Sequence, residues 1–262
     1  LHQEMEYDDF QRQKLLPNKS SQLGPGMAWG DVNGNGYDDV FIGGSAGFTG
    51  MLFLNMGNGQ FKNALQFCFT YDVRSEDMGS LFFDFDRDGD LDLYVVSGGV
   101  ECKPGDVLLR DRLYINDGTG NFQKGSLDLL PDIRSSGSVV TAADIDGDSH
   151  LDLFIGGRII PGRYPESPQS YVLRYTGSKY EDATDVIAPE IKQAGMVTSA
   201  LFTDVDGDHK PDLLATYEWG PVRYFHNEGG QLIDRTSDAE LADRQGWYNS
   251  ISGGDMDNDG DT

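Results

Sequence analysis

Short apolar runs punctuate this chain, and each leads into a burst of acidic residues from which a second apolar run emerges. The segments "GMAWG", "SLFF", "VVTAA", "SALFT" and "NSISGG" enter the bursts, and "VFIGG", "LYVVSGG", "LFIGG" and "LLATY" leave them. A third apolar segment follows as "MLFLNMGNG", "RLYINDGTG", "YVLRYTGSK" or "VRYFHNEGG". It ends in Gly, Asn or Asp turn residues before a fourth piece, "QFKNA", "NFQKG", "KYEDA" or "QLIDR". Runs this short, rich in β-branched and aromatic residues and bounded by turn chemistry, predict strands. No helical period interrupts them. Each repeat reads strand, acidic loop, strand, long connection, strand, tight turn, strand.

The acidic loops start at residues 31, 84, 144, 204 and 255, so the period is about 50–60 residues, the size of one four-stranded propeller blade. The expected fold class is therefore all-β, a β-propeller of four-stranded blades with a loop of calcium type between strands one and two. Residues 1–25 read as a lead-in segment and 26–262 as a partial propeller of four complete repeats plus the start of a fifth.

Counting each loop from its first aspartate, oxygen side chains hold positions 1, 3, 5 and 9 in every complete copy. Loop one offers Asp31, Asn33, Asn35 and Asp39; loop two Asp84, Asp86, Asp88 and Asp92. Loop three offers Asp144, Asp146, Asp148 and Asp152; loop four Asp204, Asp206, Asp208 and Asp212. The cut-off fifth copy supplies Asp255, Asp257 and Asp259. Position 7 varies among Tyr37, Asp90, His150, Lys210 and Asp261, as suits a residue that contributes its backbone carbonyl. Hard oxygens in such numbers point to Ca2+, about one ion per loop, which would cancel the repulsion among the acids. An EF-hand is excluded, because it needs a glutamate at position 12 and flanking helices. Here position 12 is Ile42, Val95, Ile155 or Ala215, each inside a predicted strand. Good hairpin turns would explain one such loop but not five with oxygens at the same offsets.

Within the loops, position 6 calls for a sharp turn, which Gly36, Gly89 and Gly260 suit and Ser149 and His209 do not. Loop one replaces two carboxylates by amides. Loop two is thus expected to bind tightest among the complete copies.

Composition changes the picture in three ways. The net charge of −24 excludes nucleic acid as a partner. Five divalent ions would reduce that excess to −14, so the loops account for much of it. No apolar run is long enough to span a membrane. Cys68 and Cys102 could form one bridge or remain free thiols. The chain starts at Leu1 and stops at Thr262 inside an acidic motif, which suggests a fragment or a processed piece.

The acidic loops followed by "VFIGG" or "LFIGG" resemble those of the FG-GAP/VCBS repeat proteins, which include the calcium-loop propeller head of integrin α subunits. A narrower likeness, to bacterial VCBS-repeat proteins allied to the cartilage acidic protein and ASPIC/UnbV group, rests on three segments. They are "DFQRQKLLPNKSSQLGPGMAWGDVNGNGYDDVFIGG", "GGRIIPGRYPESPQSYVLR" and "GWYNSISGGDMDNDGD". That resemblance implies a propeller of seven blades, so this chain would be part of a ring completed by the remaining blades of the same protein. It also implies an extracellular, cell-surface or envelope-anchored setting and no settled catalytic activity.

In such a blade the acidic loop and the turn between strands three and four share one end. The longer, dissimilar connections share the other: 97–111, 156–170 and 217–221 within blades, and 65–78, 126–137, 185–196 and 237–247 between them. Irregular loops on a regular frame are where a protein or glycan ligand is expected. Arg158, Arg163, Tyr164, Tyr217 and Trp219 are its candidate anchors, although Tyr217 and Trp219 equally suit packing between blades.

Enzyme signals are weak. "GGSAG" around Ser45 matches the G-x-S-x-G elbow, but a strand follows where the elbow needs a helix. The four histidines lack metal spacing. Calcium-supported adhesion or ligand binding without catalysis is the leading expectation. The alternative is a propeller belonging to a secreted carbohydrate-active enzyme.

Overall fold

The structure is a computed structural model and describes residues 3–254. The loop-five residues Asp255, Asp257, Asp259 and Asp261 lie outside that range. Among the described residues sixteen strands form four sheets, and each sheet is a four-stranded antiparallel meander in chain order. The first contains β1 (Met27–Gly30), β2 (Asp39–Ile42), β3 (Met51–Asn55) and β4 (Phe61–Ala64). The second contains β5 (Glu76–Phe83), β6 (Asp92–Gly98), β7 (Arg112–Asn116) and β8 (Phe122–Lys124). β9 (Ser136–Ala143), β10 (Asp152–Ile159), β11 (Tyr171–Tyr175) and β12 (Tyr180–Asp182) make the third. The fourth has β13 (Val197–Thr203), β14 (Asp212–Tyr217), β15 (Arg223–Asn227) and β16 (Leu232–Asp234). These are propeller blades, as the four-segment repeat predicts.

Register ties the acidic loops to the sheets. In blades one, two and four the residue before the loop pairs with the position-9 aspartate: Gly30 with Asp39, Phe83 with Asp92 and Thr203 with Asp212. Directly after that aspartate the chain is buried on both faces, and Leu93, Leu153 and Leu213 are each 0% exposed. A strand covered on both sides reads as a continuous apolar run instead of an alternating one. That is why "LYVV" and "LFI" follow the acids without polar interruption.

The chain divides into two compact units: Leu1–Gly137 with Ile159–Glu166, and Ser138–Arg158 with Ser167–Thr262. In the first, Phe41, Leu52, Phe82, Leu93, Tyr114 and Phe122 build a core around Phe69. Phe69 arrives from the connection between blades, on the one-turn helix Phe67–Thr70. Its ring stands edge-on to Phe41 at 5.3 Å and to Tyr114 at 4.9 Å. Such pairs each add about 1 kcal/mol beyond the area buried. In the second unit Ile187, Ala188 and Ile191 play the same part among Phe154, Val172, Leu213 and Phe225. The connections 65–78 and 185–196, expected as recognition loops, are thus partly core.

The lead-in is also tied down within the first unit. Asp9 is 2% exposed and accepts hydrogen bonds from Ser20 N, Ser21 N and Ser21 Oγ. Arg12 Nη1 donates to the carbonyls of Val100 and Cys102. Cys68 and Cys102 are free thiols. Burial pushes the Cys68 thiol up to about 11, so it behaves as a small apolar core residue.

Candidate metal loops and the opposite end of the blades

Four loops share one frame, and its keystone is position 9. Asp92 Oδ2 accepts from Phe85 N in the loop, and Oδ1 accepts from Asn116 N at the end of β7. Asp39 does the same with Val32 N and Asn55 N, and Asp212 with Val205 N and Asn227 N. Asp152 keeps the bond to β11, from Tyr175 N. All four carboxylates are at most 3% exposed. Position 9 therefore clamps the loop to the third strand, a structural duty beyond that of a ligand. In three blades the third strand ends in Asn, and that amide reaches back. Asn55 Nδ2 donates to Asp38 O, Asn116 Nδ2 to Leu91 O and Val32 O, and Asn227 Nδ2 to Pro211 O and Ile145 O. Asn116 and Asn227 so bind the loop of the preceding blade as well as their own. Sequence reasoning missed this pair, although "LN", "IN" and "HN" at the ends of the third segments carried the signal.

Position 1 gathers loop amides. Asp144 Oδ1 accepts from Gly147 N and Asp148 N, and Oδ2 from Ser149 N; Asp204 repeats the set with Gly207, Asp208 and His209. Asp31 accepts from Asn35 N and Gly36 N, and Asp84 from Gly89 N. Position 5 accepts from the amide of position 7, as in Asn35 to Tyr37 and Asp88 to Asp90. Curling this tightly needs two left-handed residues. Position 6 is one, with φ of 84°, 93°, 69° and 63° at Gly36, Gly89, Ser149 and His209. Position 4 is the other, with Gly34, Gly147 and Gly207 at 70°, 78° and 78° but Arg87 at 64°. The strain expected only of loops three and four is therefore also present in loop two, one position earlier.

The carboxylates converge as a cation would require. Two oxygens held at about 2.3–2.6 Å by one calcium ion lie no more than about 5 Å apart. Ligand atoms of Asp84, Asp86 and Asp92 fall within 4.8 Å of one another, as do those of Asp144, Asp146 and Asp148, and of Asp204, Asp206 and Asp212. Asp88 is not brought into the loop-two group. In loop two, Asp84 Oδ1 and Asp90 Oδ1 are buried with no hydrogen-bond partner, and in loop three so is Asp152 Oδ2. Orphaned buried carboxylate oxygens are costly unless something discharges them. The donor set fits a hard cation. Asp90, at position 7, thus carries a buried side-chain oxygen beyond the backbone carbonyl expected of that position.

The loops differ in their internal counter-charges. Loop one is closed by amides, with Asn33 Nδ2 donating to Asp39 Oδ2 and Asn35 Nδ2 to Asn55 O. In loop three Arg174 Nε lies 3.3 Å from Asp146. His150 stacks on Tyr175 at 5.1 Å. In loop four Lys210 Nζ pairs with Asp208, and His226 Nδ1 sits 3.1 Å from Asp212 and 3.6 Å from Asp206. Among the described residues, no base pairs with the carboxylates of loop two. Burial, opposed by hydrogen bonds from Asn116 and Phe85, pushes Asp92 up to about 7. Burial and then the Asp88 charge raise Asp86 and Asp90 as well. In loop four the Lys210 hydrogen bond holds Asp208 below its ordinary value.

At the other end of the blades the expected anchors scatter. Tyr217 is 1% exposed and Arg158 8%, the latter paired with Glu218 at 2.5 Å, so both are core and not recognition residues. Trp219 is 56% exposed and packs edge-on against Trp247 at 4.8 Å. Arg163 is exposed and pairs with Glu166, and the Tyr164 carbonyl accepts from Gln13. Ser45 is 0% exposed, donates to the carbonyl of Gln3 and is followed by β3, so the elbow match is fortuitous. Among the described residues, no helix is long and apolar enough to cross a membrane.

Comparison with known proteins agrees with this architecture. A family model for the FG-GAP-like repeat matches residues 21–95, 104–155 and 204–262. A solved structure of an Agrocybe aegerita lectin, concerned with specific recognition of non-reducing terminal N-acetylglucosamine, superposes with a TM-score of 0.50 at 19% identity. The match covers 78% of this chain and 49% of the lectin chain, so this chain spans about half that length. At that identity the likeness is one of fold. No curated protein matches the chain significantly.

Proposed function

Because this chain belongs to the FG-GAP-like repeat family, we propose that it is a calcium-binding, non-catalytic module of a secreted or cell-surface protein, with a protein or glycan ligand. Its narrower kinship with the bacterial VCBS-repeat and ASPIC/UnbV group is part of the same reading. The observation that carries the calcium half is loop two. Three carboxylates converge within 4.8 Å, two neighbouring oxygens are buried without partners, and no base supplies the missing charge. Calcium there would provide that charge and hold the loop closed. Asp84, Asp86 and Asp92 would hold it in loop two, Asp144, Asp146 and Asp148 in loop three, and Asp204, Asp206 and Asp212 in loop four. Loop one would use Asp31 and Asp39 with the carbonyl oxygens of Asn33 and Asn35.

An extracellular setting follows from the same chemistry, since modules of this kind bind at about 10⁻⁴–10⁻³ M and external calcium is needed to fill them. The loops serve the frame, which leaves recognition to the opposite end of the blades. Metal analysis of the purified chain, with melting in calcium and in EDTA, tests the calcium half. Bound calcium and a lower melting temperature in EDTA are expected; no bound metal and unchanged melting would overturn it. Binding to a glycan array and to extracellular protein partners tests the ligand half.

A further inference from the structure

Three of the connections expected to carry recognition meet, within the first unit, around a cavity of about 260 Å³. Arg74 comes from 65–78, Val107 and Arg110 from 97–111, and Leu127 from 126–137. Arg112 joins them from the start of β7 and Lys124 from the end of β8. Four of the chain's 20 bases thus line one cavity, against Asp72 and Asp111 as its acids, in a chain that carries 44 acids.

The acceptors of this lining are occupied. Asp111 takes Ser97 N at 2.8 Å on one oxygen and Tyr94 Oη at 2.9 Å on the other. Asp72 takes Tyr114 Oη at 2.9 Å on one oxygen and pairs with Lys124 through the other. Donors are left over. Arg112 is buried and paired with Asp77 at 2.7 Å. Arg110 donates to the carbonyls of Leu127 and Leu130 and stands 3.6 Å from Asp132. Lys124 has one acid for three N–H groups. Arg74 is exposed and has neither an ion pair nor a side-chain hydrogen bond among the described residues. The rim is apolar and open, with Tyr71 79% exposed and Val107 and Leu127 61% each. Exposed apolar side chains gathered around a cavity mark a contact surface.

The nature of the partner follows from the lining. A cation would meet Arg74 and Lys124. A neutral group gains less from them than a charged acceptor does. One unpaired base matches one negative charge, which favours a carboxylate over a doubly charged phosphate, and the guanidinium fork takes a carboxylate through two parallel hydrogen bonds. Screening over about 8 Å at physiological salt leaves the bases of the cavity, and not the net charge of the chain, to decide. Val107 and Leu127 bury an apolar side chain and offer a sugar's hydroxyls no partner. The volume is small for a ligand pocket, so it seats one or two side chains.

We propose that this cavity binds a peptide segment in which a carboxylate stands beside an apolar side chain, the carboxylate on Arg74 and Lys124 and the side chain against Val107 and Leu127. The shared chemistry covers a peptide C-terminus and an acidic side chain. This rests on the ligand half of the proposed function and not on its calcium half.

Calorimetry on the whole chain in calcium buffer tests it with four probes: Nα-acetyl-leucine, Nα-acetyl-leucyl-glutamyl amide, Nα-acetyl-leucine amide and glucuronate. Saturable binding of the first two at about millimolar Kd is expected, weakening with added salt, with no binding of the neutral amide. Tighter binding of acetyl-leucine identifies a C-terminus as the source; the reverse order identifies an acidic side chain. Arg74→Gln should weaken both at least about tenfold and leave melting unchanged, because Arg74 holds nothing within the chain. Lys124→Gln should weaken them as well, and Val107→Ser should weaken them less, with melting used to show that each variant folds. Equal binding of the neutral amide, glucuronate binding as tightly as the peptides, an undiminished Arg74→Gln variant, or no carboxylate binding at about 50 mM would overturn the site. The same variant separates this site from the broader reading: a glycan or extracellular protein partner that Arg74→Gln binds as well as the parent chain does would retain the ligand half and sink this cavity.

Discussion

Loops two and four carry aspartate at the same four positions, and the backbone draws three of those carboxylates together in each. Their surroundings differ. Loop four has Lys210 on Asp208 and His226 between Asp206 and Asp212, whereas loop two has Asp90 in place of the lysine and Ile115 in place of the histidine. A motif that reads identically can therefore hold itself together in one blade and need an outside charge in another. Counting the acids at positions 1, 3, 5 and 9 ranks the two loops as equals; counting the charges around them does not.

The largest effects should show what the loops share. Asp92→Ala orphans two buried amides, and Asp212→Ala one buried and one part-buried amide, so each should cost about 3 kcal/mol in chemical denaturation. Severe loss in only one of them would break the idea of a common frame. Next comes the difference. Calcium at a hundred times its Kd should stabilise the chain by about 2.7 kcal/mol per site, and Asp86→Ala should remove that gain where Asp206→Ala removes less. Asn33→Ala, in the amide-closed loop one, should also reduce calcium binding less than Asp86→Ala does. Replacing the internal cation sharpens the contrast further. Lys210→Met should raise calcium affinity at loop four by about three- to tenfold in a calcium titration, because a competing charge has gone. The smallest change expected is Arg87→Gly, which relieves a left-handed arginine and should gain about 0.5–1 kcal/mol in melting experiments.

The blade architecture was legible because alternation of strand and turn repeats four times, and each copy checks the others. The acidic positions that the backbone draws together were legible for the same reason. What escaped was set by contacts between distant segments. The clamp from position 9 to the third strand joins residues 24 apart in blade two, and its role could not be told from that of a ligand. Lys210 stands inside its own motif, but Arg174 and His226 come from β11 and β15, outside it, and carried no signal until the sheets placed them beside the acids. Tyr217 and Arg158 looked like anchors because aromatic and arginine residues at loop edges often are; burial and the Glu218 pair make them core. The position-4 turn went unread because glycine fills it in three loops and only Arg87 reveals the strain.

The most direct test of the account is hydrogen exchange of the whole chain, measured by mass spectrometry in calcium and in EDTA. Peptides spanning Asp84–Asp92 should lose protection in EDTA by a clearly larger factor than those spanning Asp204–Asp212. Equal loss in both loops, greater loss in loop four, or no response to calcium in either would contradict it.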